Sequence, residues 1–185
     1  MMTLRCRREP GPVRYSLVAL AAVCVVLGAT APLFGEPDGC VLAPDDRNPS
    51  EKILRCGDAL TIRTAPDTRY RLTAQVGQQR PSGAQLDSGA LMIEFTPSEG
   101  RRKFQILTPH AIAAVRGTTW AVEVEPERTS TLVISGTVQV TRPRGKRSAV
   151  LHAGEGADVS AGSDPITVKI WGKKRVDALL ARFGQ

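Results

Sequence analysis

Aromatic side chains make up only 4% of the 185 residues. That is too few for a row of base-stacking platforms, so a single-stranded nucleic-acid binder is excluded on composition. Histidine occurs twice, at His110 and His152. There is no G-x-S-x-G elbow to carry a nucleophile. No G-x-x-x-x-G-K-[ST] loop is present, and no G-x-G-x-x-G stands ahead of a helical segment. Gly154-Glu155-Gly156 therefore reads as a turn between strands. No C-x-x-C or H-x-x-x-H spacing suggests a metal site. Acids such as Glu94, Glu123, Glu125 and Asp158 are dispersed along strands and turns. The expectation is a protein that is not an enzyme and holds no cofactor and no metal. With 42% hydrophobic and 23% charged residues, the chain is nonetheless of ordinary globular composition.

What the sequence does have begins at its N-terminus. Arg5, Arg7, Arg8 and Arg14 precede an apolar run from Leu17 to Ala29, and Glu9 is the one acid before Glu36. A basic region, an apolar stretch and the small residues Ala29-Thr30-Ala31 form a secretory signal. Pro32 sits badly for cleavage, and the alternative is an uncut anchor over 13–34. Either reading places the remaining chain outside the cytoplasm, periplasmic or extracytoplasmic, touching membrane only through this segment if it is uncleaved. No lipobox precedes Cys24 or Cys40. The net charge of +7 falls to +4 without residues 1–31. The remaining basic clusters are Arg101-Arg102-Lys103, Arg142-Pro143-Arg144-Gly145-Lys146-Arg147 and Lys173-Lys174-Arg175. They read as solvated turns; if Arg142, Arg144, Lys146 and Arg147 bind anything, acidic glycan or anionic lipid are the partners to expect, and nucleic acid is not.

Export also bears on Cys40 and Cys56, because an oxidising compartment lets them pair. The bridge would tie a Pro-rich lead-in to the first strand. The competing arrangement is a metal site of Cys40, Cys56, His110 and His152.

Residues 32–56 read as an irregular, tethered lead-in. Beyond them, short apolar alternations of period two mark strands. These are Leu60-Ile62, Tyr70-Leu72, Leu91-Ile93-Phe95, Phe104-Ile106, Trp120-Val122-Val124, Val138-Val140 and Ile166-Val168-Ile170. Glycine punctuates them at Ser88-Gly89, Glu99-Gly100, Arg116-Gly117, Ser135-Gly136, Arg144-Gly145 and Ala161-Gly162. Ser135-Gly136 between two apolar runs reads as a hairpin turn. The fold class is all-β, many short strands in a sandwich or short β-solenoid-like domain, over 57–170. One helix closes the chain. Val176, Leu179, Leu180 and Phe183 fall on one helical stripe, Gly184 follows as a cap, and Trp171 is an anchor before it. Residues 171–185 are thus a capping α-helix over the β-domain.

The densest segment runs from Phe104 to Gly156. It contains Thr108-Pro109, an apolar run, Arg116-Gly117-Thr118, the strand Trp120-x-Val122-x-Val124, Ser135-Gly136, Val138-x-Val140 and Ala153-Gly154-Glu155. In this order the set resembles the FecR domain of bacterial envelope signalling proteins. The resemblance covers about 50 residues closely and extends loosely from Cys56 to Gly162. It implies that Thr108, Pro109, Arg116, Gly117, Thr118, Trp120, Gly136, Gly154 and Glu155 are mainly fold-defining. Gly117 would supply a conformation a Cβ forbids, and Arg116 would bond a corner carbonyl or carboxylate. It further implies an envelope sensing or protein-interaction role, with an envelope protein as partner. About 15 residues precede the apolar run, too few for the family's cytoplasmic anti-sigma domain, so a stand-alone domain is expected. A cell-wall or acidic-polysaccharide module is the alternative.

Overall fold

A computed structural model of the protein describes residues 39–45, 52–75, 80–97, 103–145 and 147–185. The expected signal or anchor and the Glu99-Gly100 turn lie outside them. Among the described residues, no helix is long and apolar enough to cross a membrane.

Among the described residues, thirteen strands form the domain. They are β1 (Val41–Pro44), β2 (Lys52–Cys56), β3 (Leu60–Thr64), β4 (Arg69–Thr73), β5 (Gly83–Phe95), β6 (Phe104–Leu107) and β7 (Ile112–Val115). Then follow β8 (Thr118–Glu125), β9 (Arg128–Ser135), β10 (Thr137–Thr141), β11 (Ser148–His152), β12 (Glu155–Ser160) and β13 (Val168–Ile170). The all-β class read from the alternating runs holds. The described part of the lead-in is not irregular: β1 and β2 pair antiparallel and extend the sheet through β3.

The strands belong to two halves that share β5. Gly83–Ser88 of β5 pairs with β4, and with β6 in parallel. Gly89–Phe95 pairs with β3 and β8. One half is therefore β4, β5, β6, β7, β10 and β11; the other is β1, β2, β3, β5, β8, β9, β12 and β13. Edge strand β11 returns to lie against β12 and β13, so the sheet nearly closes into a barrel. Closure limits the exposed edge.

Ser88-Gly89 is thus no turn but a bend inside a 13-residue strand. Gly89 takes φ +88°, and a Cβ there would lie 2.4 Å from the Thr68 hydroxyl. That hydroxyl accepts the Ala90 amide at 3.0 Å. Strands that switch sheets by such bends make the corners of a folded sandwich.

The inner faces meet in one core. Leu60, Ile62, Leu91, Ile93, Phe95, Trp120, Val122 and Val133 come from one half, and Leu86, Phe104, Ile106, Val138, Val140 and Leu151 from the other. Phe104 bridges them, with its ring centroid 5.8 Å from Phe95 and 6.3 Å from Trp120. All but Leu86, Val133 and Leu151 are positions the period-two alternation puts on one face. The exception is the last run. Ile166 and Val168 are partly buried against the core, but Ile170, on the three-residue edge strand β13, is 83% exposed.

The helix α1 (Lys173–Leu180) continues as a 3-10 turn over Ala181–Phe183 and ends on Gly184 at φ +70°. It has no side-chain cap and no acid in its first turn. Eight residues without these aids are held by packing, not by propensity. Leu179, Phe183 and Trp171 cover Met92, Ala121 and Leu132 on the outer face of β5, β8 and β9, with Val176 and Leu180 partly buried beside them.

Candidate functional site

Thr108 starts the turn Thr108–Ala111 between β6 and β7. Its hydroxyl takes the Ala111 amide at 2.9 Å and lies 2.8 Å from the Ala111 carbonyl. It also lies 2.8 Å from the hydroxyl of Thr129 on β9, which has no solvent exposure. Thr108-Pro109 is therefore a turn riveted to the other half of the barrel.

Arg116-Gly117 carries the chain from β7 to β8, that is, from one half to the other. Ser135-Gly136 carries it back, from β9 to β10. The hairpin expected at Ser135-Gly136 is absent: β9 pairs with β8 and β12, and β10 with β7 and β11. One intervening residue, Gly136, cannot reverse the chain, but at φ +84° it can redirect it. The two corners are tied together. The Thr118 hydroxyl donates to the Thr137 carbonyl at 3.0 Å and lies 3.4 Å from the Thr137 amide. A Cβ on Gly136 would lie 2.4 Å from the Gly117 carbonyl oxygen.

The third crossing is β11 to β12. Glu155 accepts the His152 amide at 2.7 Å, so its carboxylate closes the turn instead of pairing with an arginine. Gly154 takes φ +82° and donates its amide to Val133 at 2.9 Å. Trp120 lies fully buried in the core. Arg116 is exposed and has no polar partner among the described residues, so the corner bond expected of it is not seen. The motif residues Thr108, Thr118 and Glu155 spend their polar groups within the fold.

Cys40 and Cys56 form a disulfide, so neither is available for metal, and the described residues contain no group of His, Cys, Asp and Glu fit to hold one. The loop it closes carries Asp45, buried at 2% exposure. Asp45 receives Arg63 at 2.6 and 3.3 Å, and Arg63 also donates to Glu94. Burial works to lower the Arg63 pKa, but the bond to Asp45 and the Glu94 and Asp45 charges outweigh it and hold the group above its ordinary value. Alternation alone gave no signal for this network. Arg63 lies on the outer face of β3, which a sequence reading leaves in solvent.

The described members of the predicted basic surface do come together. Arg142, Arg144 and Arg147 line a cleft of about 740 Å³ with Pro109, His110 and the Ser160–Ser163 loop. Lys146 lies outside the described residues. Arg142 donates to the Ser160 and Asp164 carbonyls and so holds the β12–β13 loop. Arg144 and Arg147 are exposed, with no polar partner among the described residues. His110 Nδ1 lies 3.3 Å from the Thr129 hydroxyl, which leaves Nε2 without one. Among the described residues, no acid lines the cleft. His152 sits at the far end of β11 and takes no part.

Comparison with known proteins agrees with this architecture. Residues 48–139 match the model of a family described as FecR protein. No curated protein matches the chain. Two solved structures from Parabacteroides distasonis ATCC 8503, each described as a candidate anti-sigma factor, share the fold. One has a TM-score of 0.51 at 21% identity, over 65% of this chain and 56% of its own. The other has a TM-score of 0.52 at 18% identity, over 76% of this chain and 60% of its own. The chain thus spans less than two thirds of either.

Proposed function

Residues 48–139 being a FecR domain, we propose that the protein is an exported, non-enzymatic sensing or signalling module that acts by binding another envelope protein. The observation that carries this reading is the family match, joined to the use made of its motif. Thr108, Thr118 and Glu155 hold turns and corners, and recognition is left to the surface. The two solved structures that share the fold are described as candidate anti-sigma factors, which suits an interaction role.

Export is supported by Arg5, Arg7, Arg8 and Arg14 ahead of the apolar run, and by a disulfide that an oxidising compartment would preserve. On this reading residues 1–31 are a signal peptide or an inner-membrane anchor, 32–56 a lead-in tied down by the disulfide, 57–170 the β-domain and 171–185 its capping helix. The location is periplasmic, with membrane contact only through an uncleaved N-terminus.

The test is crosslinking in intact cells followed by affinity recovery of the full chain. Recovery of one envelope protein, lost when the crosslinker is omitted, is the expected result. Recovery of none would overturn the reading. An acidic-polysaccharide module is the second reading, favoured by the arginines of the cleft. It predicts salt-sensitive binding to polygalacturonate.

A further inference from the structure

We propose that the cleft between the Thr108–Ala111 turn, the β10–β11 turn and the β12–β13 loop docks an acidic peptide segment of the partner, with Arg144 and Arg147 taking its carboxylates. This rests on the protein-interaction reading above.

Three elements distant in sequence build the cleft, and two of its cations are left over. Arg142 is occupied by the carbonyls of Ser160 and Asp164, and its work is to keep the loop in place. Arg144 and Arg147 stand at the rim with complete guanidinium groups to offer. A planar guanidinium matches a carboxylate in two-pronged geometry, and arginine clusters recur where acidic motifs are read. His110 adds an imidazole to the lining from the Thr108–Ala111 turn.

A second cleft shows the contrast. It holds about 570 Å³ between the β3–β4 corner and the end of the helix, lined by Arg63 and Arg182. There Arg63 is paired with Asp45 and Glu94, and Arg182 with Glu123. Its positive charge is already neutralised within the protein.

The cleft favours a peptide over a sugar chain. Among the described residues no Trp, Tyr or Phe lines it to stack on a pyranose face; its apolar wall is Pro109, Pro143 and Ala161. Its volume falls in the range of small-ligand sites. It therefore takes a few extended residues, not a folded surface.

The test uses the full-length chain and fluorescein-labelled hexaglutamate, followed by anisotropy at low salt, with hexaglutamine as the neutral counterpart. Hexaglutamate should bind saturably and hexaglutamine should not. Arg144→Glu with Arg147→Glu should weaken binding about tenfold or more, and Arg144→Gln with Arg147→Gln should fall between. Arg69→Glu with Arg71→Glu, on β4, makes the same charge change elsewhere and should alter affinity less than about twofold. Absence of saturable binding, or equal weakening by the β4 pair, overturns the proposal. So does polygalacturonate binding that depends on Arg144 and Arg147 when hexaglutamate binding does not. The crosslinking experiment separates the two claims. A partner recovered equally by the parent and the Arg144→Glu, Arg147→Glu variant overturns the cleft and leaves the interaction reading intact. No partner recovered by the parent overturns the interaction reading itself, whatever the peptide does.

Discussion

The carbonyl oxygen of Gly117 occupies the space into which Gly136 would project a Cβ, 2.4 Å from its ideal position. The obstacle is backbone, so no side-chain rotation relieves it. Gly136 also sits at φ +84°, where an L-residue is strained. Gly136→Ala should therefore cost about 2–4 kcal/mol. Gly117→Ala should cost less, about 1–2 kcal/mol, because its Cβ would meet only the Pro97 ring, at 3.2 Å. Urea unfolding of the two variants checks the order; equal losses would contradict the paired-corner account.

Gly156 is bare for a different reason. Its ideal Cβ would lie 2.3 Å from the Trp171 ring, over which the Arg175 guanidinium stacks 3.5 Å from the ring centroid. Gly156→Ala should push Trp171 outward and loosen the helix it anchors. The chain has two tryptophans, and Trp120 is fully buried. A red-shifted emission component that iodide quenches is expected in the variant; an unchanged spectrum would show that the ring is not held against Gly156.

Cys40–Cys56 closes a loop of sequence separation 16 that carries Asp45 to Arg63. Replacing both cysteines by serine should cost about 3 kcal/mol. Asp45→Asn, which removes one charge from a buried pair, should cost about 3 kcal/mol as well. The two losses should add to less than their sum, because each frees the same loop. Chemical denaturation of the single and combined variants measures this; full additivity would separate the disulfide from the ion pair.

Arg175 joins the helix to β12 through Asp158 at 2.5 and 2.9 Å, with Ser130 also bonding that carboxylate at 2.7 Å. Burial pushes the Asp158 pKa up, but the bonds from Arg175 and Ser130 and the charges of Arg175 and Arg128 outweigh it and hold it below its ordinary 3.8. A carboxyl depressed on folding contributes stability above its unfolded value, and the contribution is lost as pH falls through the lower folded value. The pair is partly exposed, so Asp158→Asn should cost only about 0.5–1 kcal/mol at neutral pH. Thermal unfolding of parent and variant should differ at pH 7 and converge as the pH falls well below the ordinary carboxyl value of 3.8. A difference that persists in acid would deny the carboxylate its role.

Much of the fold was legible because its signals are local. Period-two alternation placed Leu91, Ile93, Phe95, Trp120, Val122 and Val124 on one face, and they line the core. The stripe Val176, Leu179, Leu180, Phe183 gave the helix and its buried side. The arginines of the cleft are neighbours in sequence and so were visible as a cluster. His110 was not assigned to them, because it arrives from another turn. Glycine pairs were read uniformly as turns, yet Gly89 bends one strand and Gly136 redirects the chain between halves.

By itself the sequence determined the class, many of the strands and their inward faces, the C-terminal helix and the resemblance to a known domain. Each depends on residue spacing or on a run of residue types along the chain. Tertiary structure alone decided which strands pair, which glycines are corners, and why Arg63 is buried on an outward face. Those outcomes depend on groups many residues apart meeting in space: Gly117 with Gly136, Asp45 with Arg63, Thr108 with Thr129. Spacing along the chain carries no record of such meetings, because the barrel's closure creates them.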